Sequence, residues 1–265
     1  MHDESIKTVP SLRYDEDYFL SACEGYTEFL SSEGEYLSRR LAEALAVAGI
    51  APGMEVLDVG CGRGEILLHI HRLGARIHGI DYASAAVNIS RRVVESEVRD
   101  GIGVYQANAR QLPFVQARFD RVLMLDIVEH LYPLELHEAL SEAYRVLKPG
   151  GRIVVHTAPN VWYDRYAYPV VRWVRHLMGQ GEKYPRNPRA FLVPANVHVH
   201  VNEQSLWSLR RNLRRVGFRQ VKVWLSTPPQ HREESVLFRV ARYVLFNLLP
   251  FRWFFQREVF AVGQR

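Results

Sequence analysis

Ten consecutive residues, Val56-Leu57-Asp58-Val59-Gly60-Cys61-Gly62-Arg63-Gly64-Glu65, constrain this chain more than any other stretch. An apolar, strand-like run enters three glycines at alternate positions and leaves as a helical pattern. Glycines let the backbone turn sharply and approach a ligand closely, and the helix that follows presents free N–H groups to an anionic group. The same alternation continues down the chain. Strand candidates are Met54–Val59, Arg76–Ile80, Gly103–Ala107, Arg121–Leu125 and Arg152–Thr157, with helical periodicity between them. Five such strands by residue 157 predict a doubly wound α/β sheet, mostly parallel. A helix over Glu203–Val216, stopped at Gly217, then leads to a sixth strand at Gln220–Leu225 and a seventh at Val259–Gly263.

Three parts fall outside that sheet. Residues 1–50 read as an N-terminal helical cap, and the domain over 51–265 carries inserts at about 160–201 and 226–256. Connections of that length are usually functional lids or disordered, and the aromatic content of the first insert argues for order. Of the 265 residues 48% are hydrophobic and 24% charged, which excludes a disordered or collagen-like chain. Only Cys23 and Cys61 occur and no basic, apolar leader is visible, so a reducing cytoplasm is the expectation. The apolar run Tyr243–Phe251 is nine residues, far below the roughly 20 that a membrane span needs.

Charge is unevenly spread. Residues 1–35 hold nine acids against two bases, whereas residues 151–265 hold 19 bases against six acids. Only four of the 34 bases are lysines, and arginine's planar fork suits phosphate and carboxylate partners. Either an anionic partner for the C-terminal half or an arginine-rich solvated surface accounts for this.

The second strand ends in Asp81, twenty-one residues after Gly60, where a carboxylate can accept from both hydroxyls of a ribose. Two nucleotide ligands compete at this point, a dinucleotide and S-adenosylmethionine. The loop is G-x-G-x-G rather than the dinucleotide G-x-G-x-x-G. Asp58 just before it would repel a pyrophosphate and attract an ammonium.

Four ordered stretches, VLDVGCGRGE, HGIDYA, ANARQLPF with FDRVLMLDIVEHL, and RVLKPGGRIVV, resemble the class I S-adenosylmethionine-dependent methyltransferases over about residues 54–157. The resemblance implies a Rossmann-like seven-stranded sheet whose last strand is antiparallel, with S-adenosylmethionine across the ends of the first strands. It implies that Gly60, Gly62 and Gly64 line the methionine moiety and that Asp58 holds its ammonium. Cys61 sits in the same loop as a small buried residue, not a nucleophile. Asp81 would hold the ribose, Tyr82 would flank the adenine, and Asn108 and Ala109 would read its edge. Asn108 departs from the commoner aspartate, although its amide oxygen can still accept. Asp126 and Ile127 would lie beside the sulfonium.

Methyl transfer to a hydroxyl needs a positioned acceptor and one base. Glu129 and His130, directly after the fourth strand, are the best-placed candidates, against a helix-entry histidine that merely packs. Alternation in Val197-His198-Val199-His200-Val201 puts His198 and His200 on one side of an extended segment, facing substrate, a metal or solvent. Clustered carboxylates for a metal are lacking, with only Asp126 and Asn160 on offer, so none is expected. Tyr14, Tyr18 and Phe19, with Tyr26 and Phe29 behind them, resemble the aromatic cap of small-molecule members. Asn160 and Tyr163 open the first insert as lid or substrate residues.

The expected activity is therefore methyl transfer from S-adenosylmethionine to a small-molecule, sugar or lipid-linked acceptor, with O-methylation favoured. The run after the fourth strand lacks the Pro-Pro-aromatic pattern of amino-methylating nucleic-acid enzymes, which disfavours nucleic acid. An RNA methyltransferase and a non-catalytic cofactor-binding or membrane-adaptor protein are the alternatives. Basic aromatic stretches after residue 160 and over Val236–Phe255 raise peripheral contact with the inner face of a membrane, against ordinary helices packed on the sheet.

Overall fold

The computed structural model describes residues 8–22, 31–32, 36–95, 102–191, 193–226 and 236–265. Cys23, Tyr26 and Phe29 lie outside these described residues. Seven strands form one sheet: β1 Glu55–Val59, β2 Arg76–Asp81, β3 Ile102–Gln106, β4 Phe119–Leu125, β5 Leu147–Thr157, β6 Arg219–Ser226 and β7 Glu258–Gln264. Their order is β3-β2-β1-β4-β5-β7-β6. β1 to β5 run parallel, and β7 is antiparallel to both β5 and β6, as the resemblance implied.

Near-continuous apolar strands follow from a sheet buried on both faces. Successive side chains alternate between those faces. Leu57, Val59, Val122, Met124, Ile153 and Val155 join one core with the helices Pro133–Val146 and Leu206–Val216. Their neighbours Val56, Leu123, Leu125 and Val154 join the other with the helices Arg39–Ala48 and Glu65–Arg72.

Element ends shifted where local chemistry decided them. The expected helix over Glu203–Val216 begins at Leu206, because the Ser205 hydroxyl accepts from the Ser208 N–H at 3.1 Å and caps it. It stops at Gly217, whose φ of 114° continues no helix. Lys148-Pro149-Gly150-Gly151 reads in the sequence as a helix stop and strand start, and it follows the helix end at Val146 as the leading end of β5, where Lys148 Nζ reaches Asp120 at 2.7 Å.

The strand order reverses direction of growth between β1 and β4, and that switch point opens a crevice at their C-terminal ends. Phe19 closes one side of it by packing on Ala83, Ala86 and Ile89. A close approach on β2 fixes the glycine loop beneath. A Cβ on Gly79 would stand 3.0 Å from Leu67 Cδ1 and 3.1 Å from Cys61. Gly79→Val is therefore expected to overpack this contact and cost about 1–3 kcal/mol, read as a lower urea midpoint.

Candidate active site

A cavity of about 540 Å³ lies over the C-terminal ends of β1, β2 and β4, walled by the N-terminal segment and the first insert. In its floor the glycine loop takes the left-handed conformations expected of it, with φ of 80°, 51° and 81° at Gly60, Gly62 and Gly64. A Cβ on Gly60 would come within 3.0 Å of Ile127 Cδ1, so only glycine lets the loop pass under the β4 end. Cys61 is buried and its N–H donates to Ile80 O.

Asp58 and Asp81 face this floor. Asp58 is buried and its Oδ1 has no hydrogen-bond partner. Burial, reinforced by the Asp81 charge, pushes its carboxyl up to about 7. Asp81 accepts from the Gly62 N–H at 3.1 Å and the Ala83 N–H at 2.9 Å, while burial raises it to about 6. A buried carboxylate oxygen without a donor, beside a glycine cradle, suits a ligand with an ammonium and a diol. These residues fit S-adenosylmethionine. Tyr82, Asn108 and Ala109 line the same half, and Asn108 Oδ1 already accepts from the Arg110 N–H at 3.0 Å.

Asp126 is occupied differently from the expectation. Its carboxylate takes Arg40 Nε on one oxygen and His156 Nδ1 on the other, each at 2.5 Å. Burial would raise it, but these two cations and their hydrogen bonds overcome that and hold it well below the carboxylate range. Its backbone sits at φ 55°, a conformation costly for a side-chain-bearing residue.

Beyond Asp126 the cavity is lined by Glu129, His130 and His200, whose ligating atoms all lie within 4.8 Å of one another. This grouping was invisible as sequence, since His200 arrives from seventy residues away. It is anchored by Val201 and Asn202 N–H groups, which donate to the Glu129 carbonyl at 2.8 and 3.0 Å. Thr157 Oγ1 donates to Glu129 Oε2 at 2.8 Å. Burial, then the Asp126 charge, raises Glu129 to about 8. Burial, then His200, lowers His130 to about 3, and burial lowers His200 to about 4. Both imidazoles are neutral at pH 7 and Glu129 is mostly a neutral acid.

The cap residues reach this cluster. Tyr14 hydroxyl and His130 Nδ1 are 3.1 Å apart, Tyr14 meets Tyr18 edge-on, and Tyr18 meets Phe19 likewise. Arg63 Nη1 donates to the Phe19 carbonyl at 2.7 Å, tying cap to glycine loop.

Three expected lid residues stand elsewhere. Asn160 is fully buried, donates to Trp253 O and Gln256 O at 2.9 and 3.0 Å, and staples the segment before β7 to the end of β5. Tyr163 packs in a separate aromatic cluster with Tyr168, Tyr184 and Phe191. His198 is exposed, because residues Asn196–Val199 form a helical turn rather than an extended segment, and two residues on a helix point about 200° apart. Sequence reasoning missed Arg40, Arg189 and Arg257, whose place in the cavity depends on long-range packing alone. Arg63 was legible as part of the loop but its role was not.

Arg40→Met strands the Asp126 carboxylate and its partner imidazole in the crevice. Loss of one member of such a pair is expected to cost roughly 3 kcal/mol in urea denaturation, more than Arg40→Lys.

Residues 57–155 match the family model of the methyltransferase domain. Erythromycin 3''-O-methyltransferase of Saccharopolyspora erythraea is 36% identical over 141 residues, covering 52% of this chain and 43% of that protein. Ubiquinone biosynthesis O-methyltransferase of Rhodopseudomonas palustris is 27% identical over 160 residues, 58% of each chain. The chain thus spans about half the length of the curated relatives it matches. Among solved structures, Haemonchus contortus phosphoethanolamine N-methyltransferase 2 in complex with S-adenosyl-L-methionine shares the fold at a TM-score of 0.59 and 16% identity, covering 94% of this chain and 59% of that one. A complex of the Haloferax volcanii Trm112 methyltransferase activator with a methyltransferase gives a TM-score of 0.62 at 18% identity, covering 94% and 96%. Together with the ordered motifs and the sheet order, these show a methyltransferase domain over residues 57–155 on a methyltransferase-like fold.

Proposed function

We propose that this protein transfers a methyl group from S-adenosylmethionine to a hydroxyl of a small-molecule acceptor. The observation that carries the reading is the pairing of an unpartnered buried Asp58 oxygen and a glycine cradle with a proton-accepting cluster in one cavity. The cofactor supplies a methyl group already activated on a sulfonium, so no further activation of carbon is required. Asp58 holds the ammonium, Asp81 the ribose, and Tyr82, Asn108 and Ala109 border the adenine. Ile127 and the Tyr14, Tyr18 and Phe19 rings exclude water from the transfer site. Glu129, with a carboxyl near 8, takes the acceptor's proton, and His130, held by Tyr14, positions the hydroxyl. Both relatives described above are named as O-methyltransferases, which supports the choice of a hydroxyl.

A second reading, an acceptor drawn from a lipid surface, is favoured by one helix. Val170, Trp173, Val174 and Leu177 recur at the spacing of a single helical face on Tyr168–Leu177, yet all four are exposed, with Arg172 and Arg175 on the same helix. A basic, apolar face of this kind enters an anionic bilayer interface. Among the described residues no helix is long and apolar enough to cross a membrane. Sedimentation with vesicles containing one-third phosphatidylglycerol should fall several-fold in Trp173→Asp plus Leu177→Asp; unchanged sedimentation removes the lipid-surface reading.

Three measurements test the main reading. The ammonium requires ionised Asp58, so a proton leaves the free protein below about pH 7 when the ligand binds. Calorimetric affinity for S-adenosylhomocysteine should rise from pH 6 to pH 8, and Asp58→Asn should lose both the affinity and most of the slope. Radiolabel transfer into an extract, split into organic, RNA, protein and small-molecule fractions, then assigns the acceptor. At saturating cofactor the rate should climb with pH through about 8 as Glu129 ionises, and Glu129→Gln should flatten that limb and cut the rate at least 100-fold. Label in the RNA fraction alone would refute a small-molecule acceptor.

A further inference from the structure

Four arginines line the cavity, and three of them are neutralised. Arg40 pairs with Asp126, Arg63 with Glu65, and Arg189 lays its fork on both oxygens of Glu203 at 2.5 and 2.8 Å. Arg257 is the exception. Among the described residues its side chain makes no hydrogen bond and no ion pair, and its Nε is buried without a partner. Asp164 lies close enough to feel its charge but forms no ion pair with it; burial and the neighbouring Glu203 hold Asp164 towards its neutral form.

What holds Arg257 is aromatic. Its guanidinium carbon stands 5.1 Å from the Tyr163 ring centroid and 5.4 Å from that of Phe191. Contact with ring faces fixes a guanidinium while leaving in-plane N–H groups free, and those groups match the two oxygens of a carboxylate or phosphate. The backbone is fixed as well, since the Asn160 N–H donates to the Arg257 carbonyl at 2.6 Å. Arg257 immediately precedes β7, on the β5 side of β4 and away from the β1 and β2 ends that hold Asp58 and Asp81. It therefore belongs to the acceptor half of the cavity, not to the cofactor half.

An uncompensated cation in a partly buried cavity is costly unless an anion completes it. We propose that Arg257 binds an oxyanion, carboxylate or phosphate monoester, carried by the methyl acceptor. The acceptor thus carries a hydroxyl for Glu129 and His130 and an anionic group for Arg257. This inference rests on the methyltransferase reading for the identity of the ligand as an acceptor, but the anion subsite is testable without it.

The test is calorimetric titration of the whole protein with phenyl phosphate, benzoate and uncharged benzyl alcohol, each with and without saturating S-adenosylhomocysteine. At least one anion is expected to bind ten-fold or more tightly than benzyl alcohol. Arg257→Gln should reduce that anion's affinity at least ten-fold and leave S-adenosylhomocysteine affinity unchanged, which also reports a folded variant. Arg257→Lys keeps the charge without the fork and should retain an intermediate affinity. Preference for phenyl phosphate identifies a phosphate monoester acceptor, and preference for benzoate a carboxylate. Anions that bind no better than benzyl alcohol, or equally well to Arg257→Gln, overturn the proposal. Should Arg257→Gln also lose S-adenosylhomocysteine, Arg257→Lys decides: full loss of anion binding there with the nucleoside retained overturns a charge-based subsite, and partial retention upholds it. Failure of wild type to bind S-adenosylhomocysteine would strike the methyltransferase reading instead, while the titrations without it still decide Arg257.

Discussion

The carboxylate of Asp126, gripped by Arg40 on one oxygen and His156 on the other, is the interaction on which the rest of this structure depends. It joins the helix Arg39–Ala48, the end of β4 and the buried face of β5 at the switch point of the sheet. The strained backbone at Asp126 is held by those two bonds, and the strain turns the chain so that Ile127 drops against Gly60 while Glu129 and His130 enter the cavity. A charge this deep is tolerable only because both oxygens are answered. The same charge reaches outward, adding to the burial that keeps Glu129 protonated at neutral pH.

Around that hub the cavity is electrostatically divided. Asp58 and Asp81 lie on the β1–β2 side and stay short of compensating cations, whereas the β5–β7 side carries Arg257, the lining arginine that has no acidic partner among the described residues. Burial raises the two carboxyls on the first side and lowers both imidazoles in the middle. A cationic ligand is thus welcomed at one end and an anionic one at the other, and the region between them carries little net charge at pH 7.

The sheet was legible because its period and its punctuation are local. Apolar runs of five or six residues, glycines at the turns and a stop at Gly217 are properties of short windows, so the strand positions and the glycine loop followed from them, whereas the antiparallel last strand came only from the family resemblance. The half of the cavity over the glycine loop was legible for the same reason: Asp58, Gly60 and Asp81 sit at strand ends. The far half was not. His200 and Arg257 reach the cavity across 70 and 127 residues from His130, and no window contains both partners. Alternation misled at His198, where Val-His-Val-His suits a strand as well as one turn of helix, and only docking of Val199 and His200 into the interior chose the helix. Asn160 misled in the opposite sense, its polarity suggesting a ligand contact when it satisfies two backbone carbonyls inside the fold.

The backbone bonds from Val201 and Asn202 to the carbonyl of Glu129 decide how the cavity wall is held. They fasten the C-terminal end of the first insert to a main-chain atom, which every amino acid possesses, while the side chain of Asn160 fastens its start. The tie at Glu129 therefore places no demand on the identity of the residues from Val161 to Val199, whose own contacts, such as those of Tyr163 and Phe191 with Arg257, shape the cavity wall instead. A different wall can thus stand over the same floor without altering the sheet beneath it.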